Sequence, residues 1–105
     1  VCVPGTPPVD EGRAAELSSQ VDPGWAREGN LRIQRRFEFR NFRESFGLAT
    51  RVALLAEAQG HHPDLEVGWG YLVVTFTTHT AGGLTDNDFI MAAKVDRMVT
   101  GPGAQ

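Results

Sequence analysis

Leu31-Arg32-Ile33-Gln34-Arg35-Arg36-Phe37-Glu38-Phe39 alternates apolar and polar side chains. Leu31, Ile33, Phe37 and Phe39 point one way; Arg32, Gln34, Arg36 and Glu38 point the other. That period of two predicts a strand with one buried and one wet face. Arg35 interrupts the apolar row. The period then changes. Asn41 and Glu44 have the spacing of a capping box, and Phe42, Phe46, Ala49, Ala53 and Ala56 follow at helical spacing, flanked by Leu48, Val52 and Leu55. Gly60 suits the left-handed position that ends a helix, and Pro63 bars a return to one.

The same two periods recur on both sides. Upstream, Asp10 is placed to cap a helix running to about Gln20, weakened by Gly12, and Pro23-Gly24 makes a turn. Trp25-Ala26-Arg27 precedes Glu28-Gly29-Asn30, so the opening strand is half of a hairpin around a Gly-Asn turn. Downstream, Leu65 to Trp69 and Tyr71 to Thr78 flank Gly70 as a second hairpin. There Leu72, Val74 and Phe76 share one face, while Tyr71, Val73, Thr75, Thr77 and His79 share the other. Gly82-Gly83 is a tight loop. Thr85 and Asp88 then start a last helix containing Phe89, Ile90, Ala93 and Met98. The order α-β-β-α-β-β-α predicts an α+β fold, a four-stranded antiparallel sheet with three helices packed on one face. Such a sheet leaves two edges open, which association into an oligomer would cover.

A chain of 105 residues predicts one domain, spanning 1–105, with 1–9 a loose arm and 101–105 a tail. The net charge of -3 gives no general reason to expect nucleic-acid binding. No apolar run reaches membrane-spanning length and no signal-peptide pattern is present. The one cysteine, Cys2, cannot form an internal disulfide, which fits a reducing cytoplasm. The chain starts at Val1 rather than Met, which leaves room for residues upstream.

All three histidines, His61, His62 and His79, fall between the long helix and the last one. Imidazole titrates nearest neutrality, so a cluster with no covalent nucleophile beside it points to acid–base chemistry. His61 and His62 follow a helix C-terminus, and Glu57 stands one helical turn before His61, where it can orient or charge that ring. Each histidine alone reads better as a helix cap or surface residue, whereas the cluster of three reads equally well as a site. Three histidines could also hold zinc with an open fourth position, but adjacent His61 and His62 are poorly spaced as ligands and no H-E-x-x-H pattern occurs. Locally, Thr77 and Thr78 are ordinary strand residues and Asp88 is a helix-start partner for Thr85. Arg32, Arg35, Arg36, Arg40 and Arg43 read as a solvated strand and helix start, not an anion site.

Glu57, His61-His62-Pro63, Trp69, Thr78-His79, Gly82 and Leu84-Thr85 with Asp88 together resemble the pterin-4a-carbinolamine dehydratase family. The likeness extends back through Gly24-Trp25, Arg36 to Phe39, Phe42, Phe46, Arg51 and Val52. Gly60 stands where relatives often carry Asp. The resemblance implies dehydration of 4a-hydroxytetrahydropterin to quinonoid dihydropterin without metal or organic cofactor. It implies a small-molecule pterin substrate, a homodimer or homotetramer, and a functional link to an aromatic amino-acid hydroxylase. His61 and His79 would be the acid and base, in either order, and His62 would mainly hold the pterin. Glu57, Pro63, Thr78, Thr80, Ala81 and Asp88 would belong to the substrate site. Some members instead assist a transcription factor or the assembly of a carboxylating enzyme. The intact trio of histidines favours the enzyme.

Overall fold

The structure, a computed structural model, describes residues 7–100; within them the side chains of His79 and Thr100 lie outside the description. Cys2, most of the N-terminal arm and the 101–105 tail lie outside the described residues. The elements are α1 (Glu11–Ser18), β1 (Ala26–Glu28), β2 (Arg32–Glu38), α2 (Phe42–Gln59), β3 (Asp64–Gly68), β4 (Tyr71–Phe76) and α3 (Asp86–Thr100), with one 3-10 turn at His79–Ala81. All strand pairs are antiparallel, in the order β1-β2-β4-β3. The expected α+β order is therefore observed.

Register puts Ile33 opposite Phe76 and Phe37 opposite Leu72, and these side chains are buried on the face that carries the helices. Val74 stands opposite Arg35, so the guanidinium that broke the apolar row does lie on the core side. It is neutralised there. Arg35 Nη1 donates to Asp96 Oδ1 at 2.6 Å and lies 3.6 Å from Asp22, and its guanidinium covers the Phe37 ring at 4.5 Å. Trp25 Nε1 donates to the same Asp96 oxygen at 2.8 Å. Removing the Asp96 carboxylate would leave a buried indole N–H without its acceptor and the mostly buried Arg35 cation with only the longer contact to Asp22. Asp96→Ala should cost about 2–3 kcal/mol, read as a lower urea midpoint with unchanged m value. A midpoint within error of the parent would refute this.

Three more arginines of the basic run are also paired internally. Arg32 meets Glu28 at 2.6 Å, Arg36 meets Glu38, and Arg40 meets Glu44 at 2.6 Å, in keeping with a solvated surface. The Arg40 guanidinium, helped by the Arg40 amide, holds the Glu44 carboxyl below the ordinary carboxylate range.

Four local expectations are corrected. Leu31 is not on the strand: Glu28 pairs with Arg32 across a three-residue turn in which Gly29 has φ 53°, so Leu31 sits at the tip and is exposed. Trp69 likewise belongs to the two-residue turn with Gly70, beyond the end of β3, and is exposed. In α2, Asn41 caps the helix through Glu44 N as expected, but the Glu44 carboxylate reaches back to Arg40 N. The buried stripe of α2 is Ser45, Leu48, Ala49, Val52 and Ala56, leaving Phe42, Phe46 and Ala53 exposed. Ser45 decides that rotation, because its hydroxyl donates to the Gly68 carbonyl at 2.8 Å and brings that side of the helix to the sheet.

Candidate functional site

Gly60 ends α2 at φ 70°, and its amide donates to the Ala56 carbonyl at 2.9 Å. The next amide, His61 N, reaches the same carbonyl at 3.2 Å. This tight left-handed exit turns the His61 ring into the core. The ring stacks on Phe76, with centroids 6.1 Å apart and planes 11° from parallel. His62, one residue on, points the other way and is exposed.

The two rings have different carboxylate partners. His61 Nε2 lies 2.6 Å from Asp88 Oδ1 in a contact that is almost completely buried. His62 Nε2 lies 2.6 Å from Glu57 Oε1, and that pair is largely exposed. The expectation that Glu57 serves His61 is thus corrected: side chains at 57 and 62 meet outside the helix end, while residue 61 has turned inward.

Asp88 comes from the first turn of α3 and is 0% exposed. A buried carboxylate is costly unless its lone pairs are filled. Here Oδ1 faces His61, while Oδ2 accepts from the Thr78 hydroxyl at 2.8 Å and from Thr85 N at 2.9 Å. The Thr85 contact is the capping box read from the sequence. The Thr78 and Thr85 hydroxyls lie 3.0 Å apart, and both residues are buried.

Thr78 also holds the following loop. It pairs with Gly83, Thr78 N donating to Gly83 O at 3.1 Å and Gly83 N to Thr78 O at 3.3 Å. Gly83 is needed there because an added Cβ would lie 2.7 Å from the Asn30 carbonyl oxygen. The chain between these two residues carries His79, Thr80 and Ala81 in the 3-10 turn, so His79 is not the strand-end residue expected. β4 stops at Phe76 because Thr78 leaves the ladder for this bridge. Thr80 is exposed, and Pro63 and Ala81 are partly exposed.

The structure therefore brings His61, Thr78, Thr85 and Asp88 together, sets His62 and Glu57 apart as an outer pair, and suspends the His79 backbone from Thr78. The contact between Asp88 and His61 was invisible in the sequence, since the capping box accounts for Asp88 locally and its other partner is 27 residues away. Among the described residues, no group of three His, Cys, Asp or Glu is arranged to hold a metal ion. A cavity of about 530 Å³ lies at the opposite end of β2 and touches none of these residues. No helix among the described residues is long and apolar enough to cross a membrane.

The family model for pterin 4 alpha carbinolamine dehydratase matches residues 7–98. The chain belongs to that family. A protein of Methylococcus capsulatus, provisionally named pterin-4-alpha-carbinolamine dehydratase, is 46% identical over 98 residues, covering 92% of this chain and 85% of its own. One of the same provisional name from Rubrobacter xylanophilus is 46% identical over 100 residues, covering 92% of each. Among solved structures, a transcriptional coactivator/pterin dehydratase from Brucella melitensis superposes with a TM-score of 0.76 at 34% identity, over 84% of this chain and 94% of that one. A pterin dehydratase-like protein described as a RuBisCO assembly factor in the alpha-carboxysome shares the fold, with a TM-score of 0.62 at 24% identity over 74% of this chain and 92% of its own.

Proposed function

We propose that this protein dehydrates 4a-hydroxytetrahydropterin to quinonoid dihydropterin and water by histidine acid–base catalysis. The observation that carries the reading is the buried contact between His61 and Asp88, which is more organisation than a surface imidazole requires. The reaction breaks the C4a–O bond and forms a C4a=N5 double bond. One group protonates the departing hydroxyl and another takes the proton from N5. His61 and His79 serve these two steps. His62, exposed and steadied by Glu57, holds the pterin, with Pro63, Thr80 and Ala81 as further contacts. Asp88 and Thr78 belong to the same site but are buried, which suits a role behind His61 better than contact with the ring system. The substrate would come from an aromatic amino-acid hydroxylase in the cytoplasm.

The direct test is an ultraviolet assay for the loss of enzymatically generated 4a-hydroxytetrahydropterin. The protein should accelerate it, and a rate equal to the buffer rate would overturn the reading. The same assay after exhaustive chelation should show full activity. Loss on chelation and recovery with zinc would favour a metal site instead.

One feature favours a second reading, an assembly or binding module. The outer face of α2 exposes Phe42, Phe46 and Leu54, and the two phenylalanine rings stack at 5.8 Å. A macromolecular partner on that face would be indifferent to His61→Ala or His62→Ala. Absence of turnover together with no dihydropterin binding by calorimetry would select it. With the dehydratase reading, the same face and the open sheet edges serve self-association. Light scattering should give a dimer or tetramer; a monomer at micromolar concentration would refute that.

A further inference from the structure

We infer that Asp88 and Thr78 are positioning residues that fix which nitrogen of His61 carries its permanent proton. The inference rests on the dehydratase reading for its kinetic consequence, but its structural core is independent of it.

An ionised carboxylate only accepts hydrogen bonds. Asp88 Oδ1 lies 2.6 Å from His61 Nε2, so with the carboxylate ionised Nε2 is the donor. A neutral imidazole has one N–H and one lone pair. With the N–H held on Nε2, the lone pair is on Nδ1. Stacking on Phe76 fixes the ring plane. The carboxylate itself is held by two donors on its other oxygen, Thr85 N and the Thr78 hydroxyl. Since the single Thr78 proton goes to Asp88, the Thr78 oxygen accepts from the Thr85 hydroxyl 3.0 Å away. The donations therefore run one way: Thr85 to Thr78, Thr78 to Asp88, and His61 to Asp88.

Thr78 has a second consequence. Its backbone closes the loop that contains His79, while its side chain holds the carboxylate behind His61. One residue thereby ties together the two segments that carry the proposed acid and base. A threonine read from the sequence as a strand residue or a substrate contact is, by this geometry, a strut behind the site.

The test uses the full chain labelled with 15N-histidine. In the wild type, long-range proton–nitrogen correlations at a pH where His61 is neutral should show it as the Nε2–H form. Asp88→Asn presents an amide N–H to Nε2 and should move the proton to Nδ1. With that variant kcat should fall by about 10–100-fold and KM change little. Thr78→Val removes the hydroxyl at constant shape and should lower kcat by about 3–10-fold, while Thr78→Ser recovers most of the loss. A wild-type His61 in the Nδ1–H form would overturn the inference. So would a folded Thr78→Val with wild-type kcat, or a Thr78→Ser as impaired as the valine variant. A protein with the expected tautomer but no turnover would keep the positioning and remove the dehydratase reading.

Discussion

His61→Ala and His79→Ala should each lower kcat by about 10–100-fold, and the double variant should fall close to the rate of dehydration in water. The ceiling is set by that background rate, which is why the losses belong at the low end of those seen for general acid–base groups. His62→Ala should mainly raise KM, because its ring is exposed and paired with an exposed Glu57. The structure adds a complication for His61 that His62 does not share. Deleting the inner ring leaves the Asp88 carboxylate buried with one oxygen unfilled, which should cost about 1–3 kcal/mol of stability. Loss of activity in His61→Ala could then reflect a loosened loop. His61→Gln separates the two effects: its side-chain amide can still donate towards Asp88 but cannot exchange a proton. Catalysis lost in His61→Gln with the urea midpoint restored would assign the loss to chemistry. Full kcat in the double variant, or a loss confined to His62→Ala, would overturn the assignment and leave the fold untouched.

The fold was legible because its signals are local. Alternation in β2 and β4, the caps at Asp10, Asn41 and Thr85, and the exit at Gly60 each depend on residues within one turn or one strand. What failed was rotation and pairing. Phe42 and Phe46 lie at helical spacing with Ala49 and Ala56, and composition alone puts the large residues inwards. The sheet instead receives Ser45, Ala49, Val52 and Ala56, small or branched side chains that let the helix approach closely. At the site, the three histidines were found as a cluster because no others exist in the chain. Their partners were not, because a carboxylate with two oxygens can satisfy a local rule with one and a remote residue with the other. Glu57 offered the nearer explanation for His61 and was the wrong one, since a left-handed residue between them reverses the direction in which the chain leaves the helix.

Phe76→Ala should destabilise the fold by about 3–5 kcal/mol, more than Asp96→Ala or His61→Ala. Phe76 is 0% exposed and is the largest completely buried side chain among the described residues. It pairs with Ile33 across the sheet and packs against Trp25 at 5.7 Å as well as against His61. For a domain whose total stability is about 5–15 kcal/mol, that loss takes away a large share, and urea denaturation should show it as a lower midpoint. The gentler Phe76→Leu keeps most of the volume and should cost less than about 1.5 kcal/mol. It removes the flat surface beneath His61, so the ring can rock about its contact with Asp88. A leucine variant that remains folded should therefore lose several-fold in kcat, because misorientation of a proton donor or acceptor acts mainly on the transition state. Its KM should stay close to the parent value, since the proposed binding residues His62, Pro63, Thr80 and Ala81 all lie beyond the end of β4 or in the loop before β3. Unchanged kcat in Phe76→Leu would mean that Asp88 alone is sufficient to hold the ring. A Phe76→Ala midpoint equal to the wild type would contradict the packing itself.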